Sequence, residues 1–184
     1  HGWGCSYRKN GKWKHYKNIK PVWEDDLSGF RSTTLLLAHA RSAFRDEGIV
    51  VENNMPFYDA KYVFIFNGEL HGVIAKAPGR IGAEKVFNYI KRFDKGDMLS
   101  AIRKGVDILT KKTRFVRAMN FIISDTKNMY VTTRFNESPD YFTLYNKKSG
   151  GTKVICSQPF PGENEWIKFE NNTIMVRNIF LNNL

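Results

Sequence analysis

Two short stretches place groups that could meet an anion. Residues 63–70 read VFIFNGEL, four apolar strand formers followed by an Asn-Gly pair and then polar residues. Such a pair ordinarily makes a hairpin turn, because both residue types tolerate positive φ. The continuation, ELHGVIAKAPGR, lacks the clean alternation of a return strand. A second reading is that the strand ends there because the N–H groups of Asn67 and Gly68 are needed as donors. In AHARSA, Arg41 closes another apolar run, where its guanidinium fork could hold a carboxylate bidentately. An ordinary structural ion pair is the plainer alternative. His39, two residues earlier, shares the face of Arg41 and reads as a packed, hydrogen-bonded histidine ahead of a general base.

The elements that must position these groups follow from periodicity. WGCSYRKNGKWKHYKN predicts a hairpin about Asn10-Gly11, with Trp3, Cys5 and Tyr7 on one face. TTLLLAHARSAF and KYVFIFNG predict buried strands, and RDEGIVVENNMPFYD between them a loop broken by Gly48 and Pro56. GAEKVFNYIKRF sets Val86, Phe87, Ile90 and Phe93 on one helical face. GDMLSAIRKGVDILTKK does the same with Met98, Ile102, Val106 and Leu109, with Asp97 as N-cap. Strands return in RAMNFIIS, MYVTTRF, YFTLYN, TKVICS and NTIMVRN. Strands, two helices, then strands predict an α+β fold of antiparallel sheets with helices on a sheet face, and exclude a βαβ repeat.

Composition narrows the function classes. With 184 residues the chain suits one domain with a substantial core. Its 42% hydrophobic and 14% aromatic content excludes a disordered chain. No apolar run approaches the ~20 residues of a membrane span, and the opening HGWGCSYRKN has no apolar signal core. Cys5 and Cys156 alone give neither a disulfide framework nor a zinc cluster, and they suit a reducing cytoplasm. A net charge of +11 invites nucleic acid. The cations are spread along the chain, however, and the dense stretches KKTRFVR and RKNGKWKHYKNIK match no nucleic-acid motif. A Lys-rich solvated surface is the preferred reading.

HGWG (1–4), LLAHARSAFRDEGIVVENNMPF (36–57) and VFIFNGEL (63–70) together resemble the class II glutamine amidotransferases, N-terminal-nucleophile hydrolases that release ammonia from glutamine. The likeness is to small stand-alone members with DGWG, AHxRxA…ENTHPF and HNGxL stretches, and it runs on to SQPFPGENEWIKFENNTIMV. The resemblance implies a four-layer αββα sandwich of two antiparallel sheets, a single domain over 1–184, glutamine or a similar amide as substrate, and no cofactor or metal. A separate synthetase or transferase chain would accept the ammonia. It also implies roles. Amide attack develops an oxyanion, whose preorganised donors are worth ~3–4 kcal/mol apiece; by resemblance these are the Asn67 side chain and the Gly68 N–H. Arg41 corresponds to the arginine that pairs with the glutamine α-carboxylate. Gly2, Trp3 and Gly4 would shape a pocket wall, and Glu52 and Asn53 would brace the loop over it.

The chain departs from the pattern at several positions. Relatives use an N-terminal cysteine, whose own α-amine takes the thiol proton, some tens of residues before Gly-Trp-Gly. The expectation is therefore a segment beginning with Cys upstream of His1, without which these residues alone would be inactive. Cys5 has an acylated nitrogen and offers no such base, and Cys156 reads as a small buried hydrophobe. The Asp before GWG is His1, the Thr-His of ENTHPF is Asn54-Met55, the His of HNG is Phe66, and a Thr found after the arginine is Phe44. The Asp that holds the glutamine α-ammonium aligns with Gly82. Alternatives on the same fold are a non-catalytic binding or scaffold protein and a hydrolase of another amide.

Overall fold

A computed structural model describes residues 1–42 and 48–179. Phe44 lies outside the described residues. The expected hairpin is present: β1 (Trp3–Lys9) and β2 (Lys12–Asn18) pair antiparallel, with Asn10 and Gly11 both at positive φ between them. β3 (Leu36–Ala40) adds to the other edge of β1, giving a three-stranded sheet in the order β2-β1-β3. β3 is an edge strand and only half-buried. Leu37 points inward while Leu36 is exposed, where a fully buried strand was expected.

After β4 (Phe57–Tyr58), β5 runs Val63–Val73. Two helices follow, α1 (Gly82–Lys91) and α2 (Met98–Lys111). The carboxylate of Asp97 accepts from the Ser100 N–H at 3.1 Å, the expected N-cap of α2. β6 (Thr113–Ser124) returns antiparallel to β5, and β7 (Asn128–Thr133) pairs with β6. A one-turn helix α3 (Pro139–Phe142) starts the region expected to be a strand from residue 141. Pro139 at its first position fixes φ where no N–H is needed. β8 (Tyr145–Ser149), β9 (Thr152–Cys156) and β10 (Ile167–Lys168) form a second three-stranded sheet, and β11 (Thr173–Asn178) completes the large one.

The large sheet has the order β11-β7-β6-β5-β4 and carries the core on both faces. Side chains alternate across it. Phe64, Phe66, Phe121 and Ile123 face the helices, packing on Phe87, Ile90, Ile102 and Leu109. Phe64 and Phe87 stack with centroids 4.9 Å apart. Val63, Ile122 and Val131 face the other way, against Leu35 just before β3, Leu37 within it, and Leu144 and Phe169 near the second small sheet. Each fully buried side chain of this size contributes about 1.5–3 kcal/mol. The result is α+β with antiparallel sheets packed face to face and a helix pair outside the larger one. No helix among the described residues is long and apolar enough to cross a membrane.

Candidate functional site

The face between the large sheet and the β2-β1-β3 sheet changes character along β5. Toward Val63 it is apolar; at Asn67 it becomes polar. Ile65 lies opposite Ile122 and Asn67 opposite Asn120, so the two asparagines occupy the same face of adjacent strands. Their surroundings differ. Asn120 is 1% exposed and saturated: its Nδ2 donates to the Phe142 carbonyl at 2.6 Å, and its Oδ1 accepts from the Arg134 N–H at 2.8 Å. Asn67 is half-buried, and its carboxamide makes no hydrogen bond among the described residues.

β5 does not end at Asn67-Gly68, as the sequence pattern implied; it continues to Val73, with a register shift between Glu69 and Leu70. The polar residues are therefore neither a turn nor a strand terminus. They sit within the ladder. Gly68 has a steric reason to lack a side chain, since a Cβ there would lie 2.3 Å from the Ala118 carbonyl oxygen. The strands approach too closely for any other residue.

Arg41 follows directly on β3. Its N–H donates to the Gly2 carbonyl at 2.9 Å, carrying the β1–β3 pairing one step further. Its Nη1 donates to the Gly48 carbonyl at 3.0 Å. Asn53 donates to the same carbonyl at 2.9 Å, so Arg41 and the 51–53 turn are fastened at one point. His39, inward-facing like Leu37, is engaged with the backbone of Phe66. Its Nδ1 is buried without a partner. Burial together with the neighbouring Arg41 charge pulls the imidazole down to about 4, so it is neutral near pH 7. It is hydrogen-bonded, as expected, but one ring nitrogen is left unmatched. This contact joins β3 to β5 at the residue immediately before Asn67. The structure thus brings the Arg41 strand and the Asn67-Gly68 stretch into one polar region.

The Gly-Trp-Gly stretch acts through packing. Trp3 donates to Asp25 at 2.8 Å and stacks among Tyr16 and Phe30. A Cβ at Gly4 would lie 2.5 Å from the Met55 carbonyl, so its bareness lets the 54–55 segment lie on β1. That segment is fixed by Asn54, which donates to the Asn18 carbonyl at 2.8 Å, and by Met55, whose sulfur accepts from the Phe66 N–H at 3.2 Å. Gly82 begins α1 with nothing within 4 Å of where a Cβ would stand.

Neither cysteine is poised for attack. Cys5 is 2% exposed, and burial pushes its thiol up to about 11; burial raises the partly exposed Cys156 as well. Among the described residues, no group of three or more His, Cys, Asp or Glu side chains could hold a metal ion.

A cavity of about 400 Å³ opens elsewhere, between β2, the 51–58 segment and α1, with Lys17, Glu52, Phe57, Tyr58, Arg80 and Glu84 among its lining. None of Lys17, Arg80 or Glu84 was singled out for this role from sequence. They come from two segments, β2 and the start of α1, with no shared motif. Asn120 was missed too, although a lone Asn in the apolar run AMNFIIS is a readable signal.

No protein-family model matches the chain, and no curated protein matches it in sequence. Solved structures do. A glutamine aminotransferase class-II domain protein from Silicibacter pomeroyi superposes with a TM-score of 0.66 at 16% identity, over 95% of this chain and 86% of that one. A protein described as a predicted glutamine amidotransferase, from Pseudomonas aeruginosa PA01, gives 0.63 at 15% identity, over 96% and 84%. The fold is that of a class II glutamine amidotransferase domain. The glutamine phosphoribosylpyrophosphate amidotransferase of B. subtilis shares it at a TM-score of 0.64 and 17% identity, over 98% of this chain but 43% of that longer one. The amidotransferase fold therefore survives here at identities where sequence comparison finds no relative.

Proposed function

We propose that this domain binds glutamine, or a closely similar amide, in the polar region between the sheets and supports hydrolysis of the side-chain amide. The Asn67 carboxamide and the Gly68 N–H are the donors to the developing oxyanion. Arg41 receives the substrate carboxylate. By resemblance to the class II amidotransferases the nucleophile is an N-terminal cysteine thiol upstream of His1, with the α-amine as its base; Cys5 and Cys156, both pushed toward the neutral thiol, do not fit that role. The released ammonia passes to a separate synthetase or transferase.

The observation that carries this reading is the contrast between the two opposed asparagines. Asn120 is consumed by the fold, whereas Asn67 has unspent donors on a face shared with the Arg41 strand. Donors that the fold leaves unspent, in a partly dry site, can be given to a developing oxyanion.

The test is ammonia release from glutamine by the full-length gene product. Turnover is expected, with Asn67→Ala lowering kcat by roughly 10²–10³ at little change in KM, and Arg41→Ala acting mainly on KM. The reverse pattern would mean that the two roles are exchanged. Glutamine binding without ammonia release would favour the non-catalytic reading. That second reading draws on Gly82, where no carboxylate stands to receive an α-ammonium, and on the commitment of Arg41 to the Gly48 carbonyl. No binding at all would reject both.

A further inference from the structure

The cavity between β2, the 51–58 segment and α1 is separate from the Asn67 region. Phe57 pairs with Phe64, three residues before Asn67, which is roughly 10 Å along the strand. Met55 and Phe66 belong to the buried core on the helix side of β5, the face opposite Asn67. Its volume lies within the range of small-molecule sites.

Its charges are unequally spent. Arg80 is committed to Glu84 through two N–H groups, at 3.0 and 2.7 Å. Lys91 is committed to Asp59 at 2.7 Å. Lys17 is not: among the described residues its ammonium makes no direct ion pair or hydrogen bond and lies over rings, 5.0 Å from the Phe57 centroid and 5.7 Å from that of Tyr58, while the Glu84 and Glu52 carboxylates act on it only from a distance. Half-buried without an anion in contact, it bears a desolvation cost that a bound anion would offset. Beside it, His15 and Tyr58 form a flat stack, 3.5 Å apart and 4° from parallel. His15 is held by Ser6 at 2.8 Å, and burial and the Lys17 charge keep it neutral.

We propose that this cavity binds a small carboxylate carried on an aromatic ring, its charge taken by Lys17 and its ring packed against Tyr58, the exposed one of the two rings beside that ammonium. One uncommitted cation matches one negative charge. A phosphate dianion would meet Glu52 and Glu84 at the same site, where the other lining cations, Arg80 and Lys91, are already paired. The Arg80 guanidinium lies 5.8 Å from the Phe57 centroid. This inference does not depend on amide hydrolysis elsewhere in the molecule.

The experiment is a titration of benzoate into the full-length protein with 13C-labelled lysine, followed at the Lys17 side chain. Benzamide serves as the uncharged shape match and inorganic phosphate as the dianion. Saturable benzoate binding is expected, weakened at least about tenfold by Lys17→Met, the loss expected for one charge-assisted bond. Lys17 is drawn down to about 8 by burial and by the Arg80 charge, with Glu84 and Glu52 acting the other way. Binding should therefore weaken between about pH 7 and about pH 9.5 as the amine loses its proton. The exposed Glu52→Gln should instead tighten benzoate, which separates a charge effect from general damage to the fold. Benzamide binding as well as benzoate, phosphate binding better than either, or an affinity unmoved by both substitutions would overturn the proposal.

Discussion

The polar region around Asn67, on β5, and the cavity around Lys17, lined from β2, β4 and α1, are built on opposite principles. Around Asn67 the groups are neutral dipoles, a neutral imidazole and a single guanidinium, most of them fixed by backbone contacts: His39 on Phe66, Arg41 on Gly48, Met55 on the Phe66 N–H. Around Lys17 they are full charges on flexible stems, with Arg80 paired to Glu84 and Lys91 to Asp59. The first arrangement can stabilise charge that appears during a reaction, because its dipoles need not reorganise. The second can only take up charge that arrives with a ligand. A site for chemistry and a site for capture are thus told apart by what holds their donors still.

This comparison can be broken at its joints. The largest effect belongs to Gly68→Ala. Its added Cβ would meet the Ala118 carbonyl at 2.3 Å, and forcing β5 and β6 apart should cost about 3 kcal/mol in urea unfolding. Close to it comes the asparagine pair. Asn120→Ala removes both partners of buried backbone groups and should cost about 2 kcal/mol or more, while Asn67→Ala should change stability by less than about 0.5 kcal/mol. Equal losses from the two would show that Asn67 is structural after all.

Smaller effects appear as slopes with pH. His39 titrates near 4 when folded and near its ordinary 6.5 when unfolded, so it favours the folded state above 6.5, and that advantage is lost as pH falls toward 4. Lys17 is likewise depressed, from 10.5 to about 8. Stability should rise with pH between those values, and Lys17→Met should remove that rise in thermal unfolding measured across the window. The smallest expected change is from Gly82→Asp. The site has open space, and a carboxylate at the start of α1 should add about 0.3–1 kcal/mol through the helix dipole. A loss of stability there would mean that the start of α1 is less open than its geometry indicates.

The sequence made the helices readable because α1 and α2 each bury one face, and Asp97 marks the start of α2. The hairpin was readable because Asn10-Gly11 has a clean strand on each side. Asn67-Gly68 misled as an end point because a polar residue on a buried inter-sheet face looks, in one dimension, like the close of a strand. Only the partner β6 shows that the ladder runs on. Arg41 and Asn67 were found by their flanking stretches. The cavity left no such trace, since Lys17, Arg80 and Glu84 converge only after β2 and α1 have packed. The three-stranded division of the smaller sheets was hidden for the same reason: β10 is two residues long and carries no period.

The ladder between β5 and β6 has a consequence for how the chain reaches its native state. Its strands are not joined by a tight turn, because the whole of α1 and α2 lies between Val73 and Thr113. Closing so wide a loop from a disordered chain is entropically slow. Helices form locally and quickly, and once α1 and α2 associate they draw the two strand ends toward each other. The central pairing of the large sheet, with the Asn67 region inside it, is then assembled late, on a template that the helix pair provides.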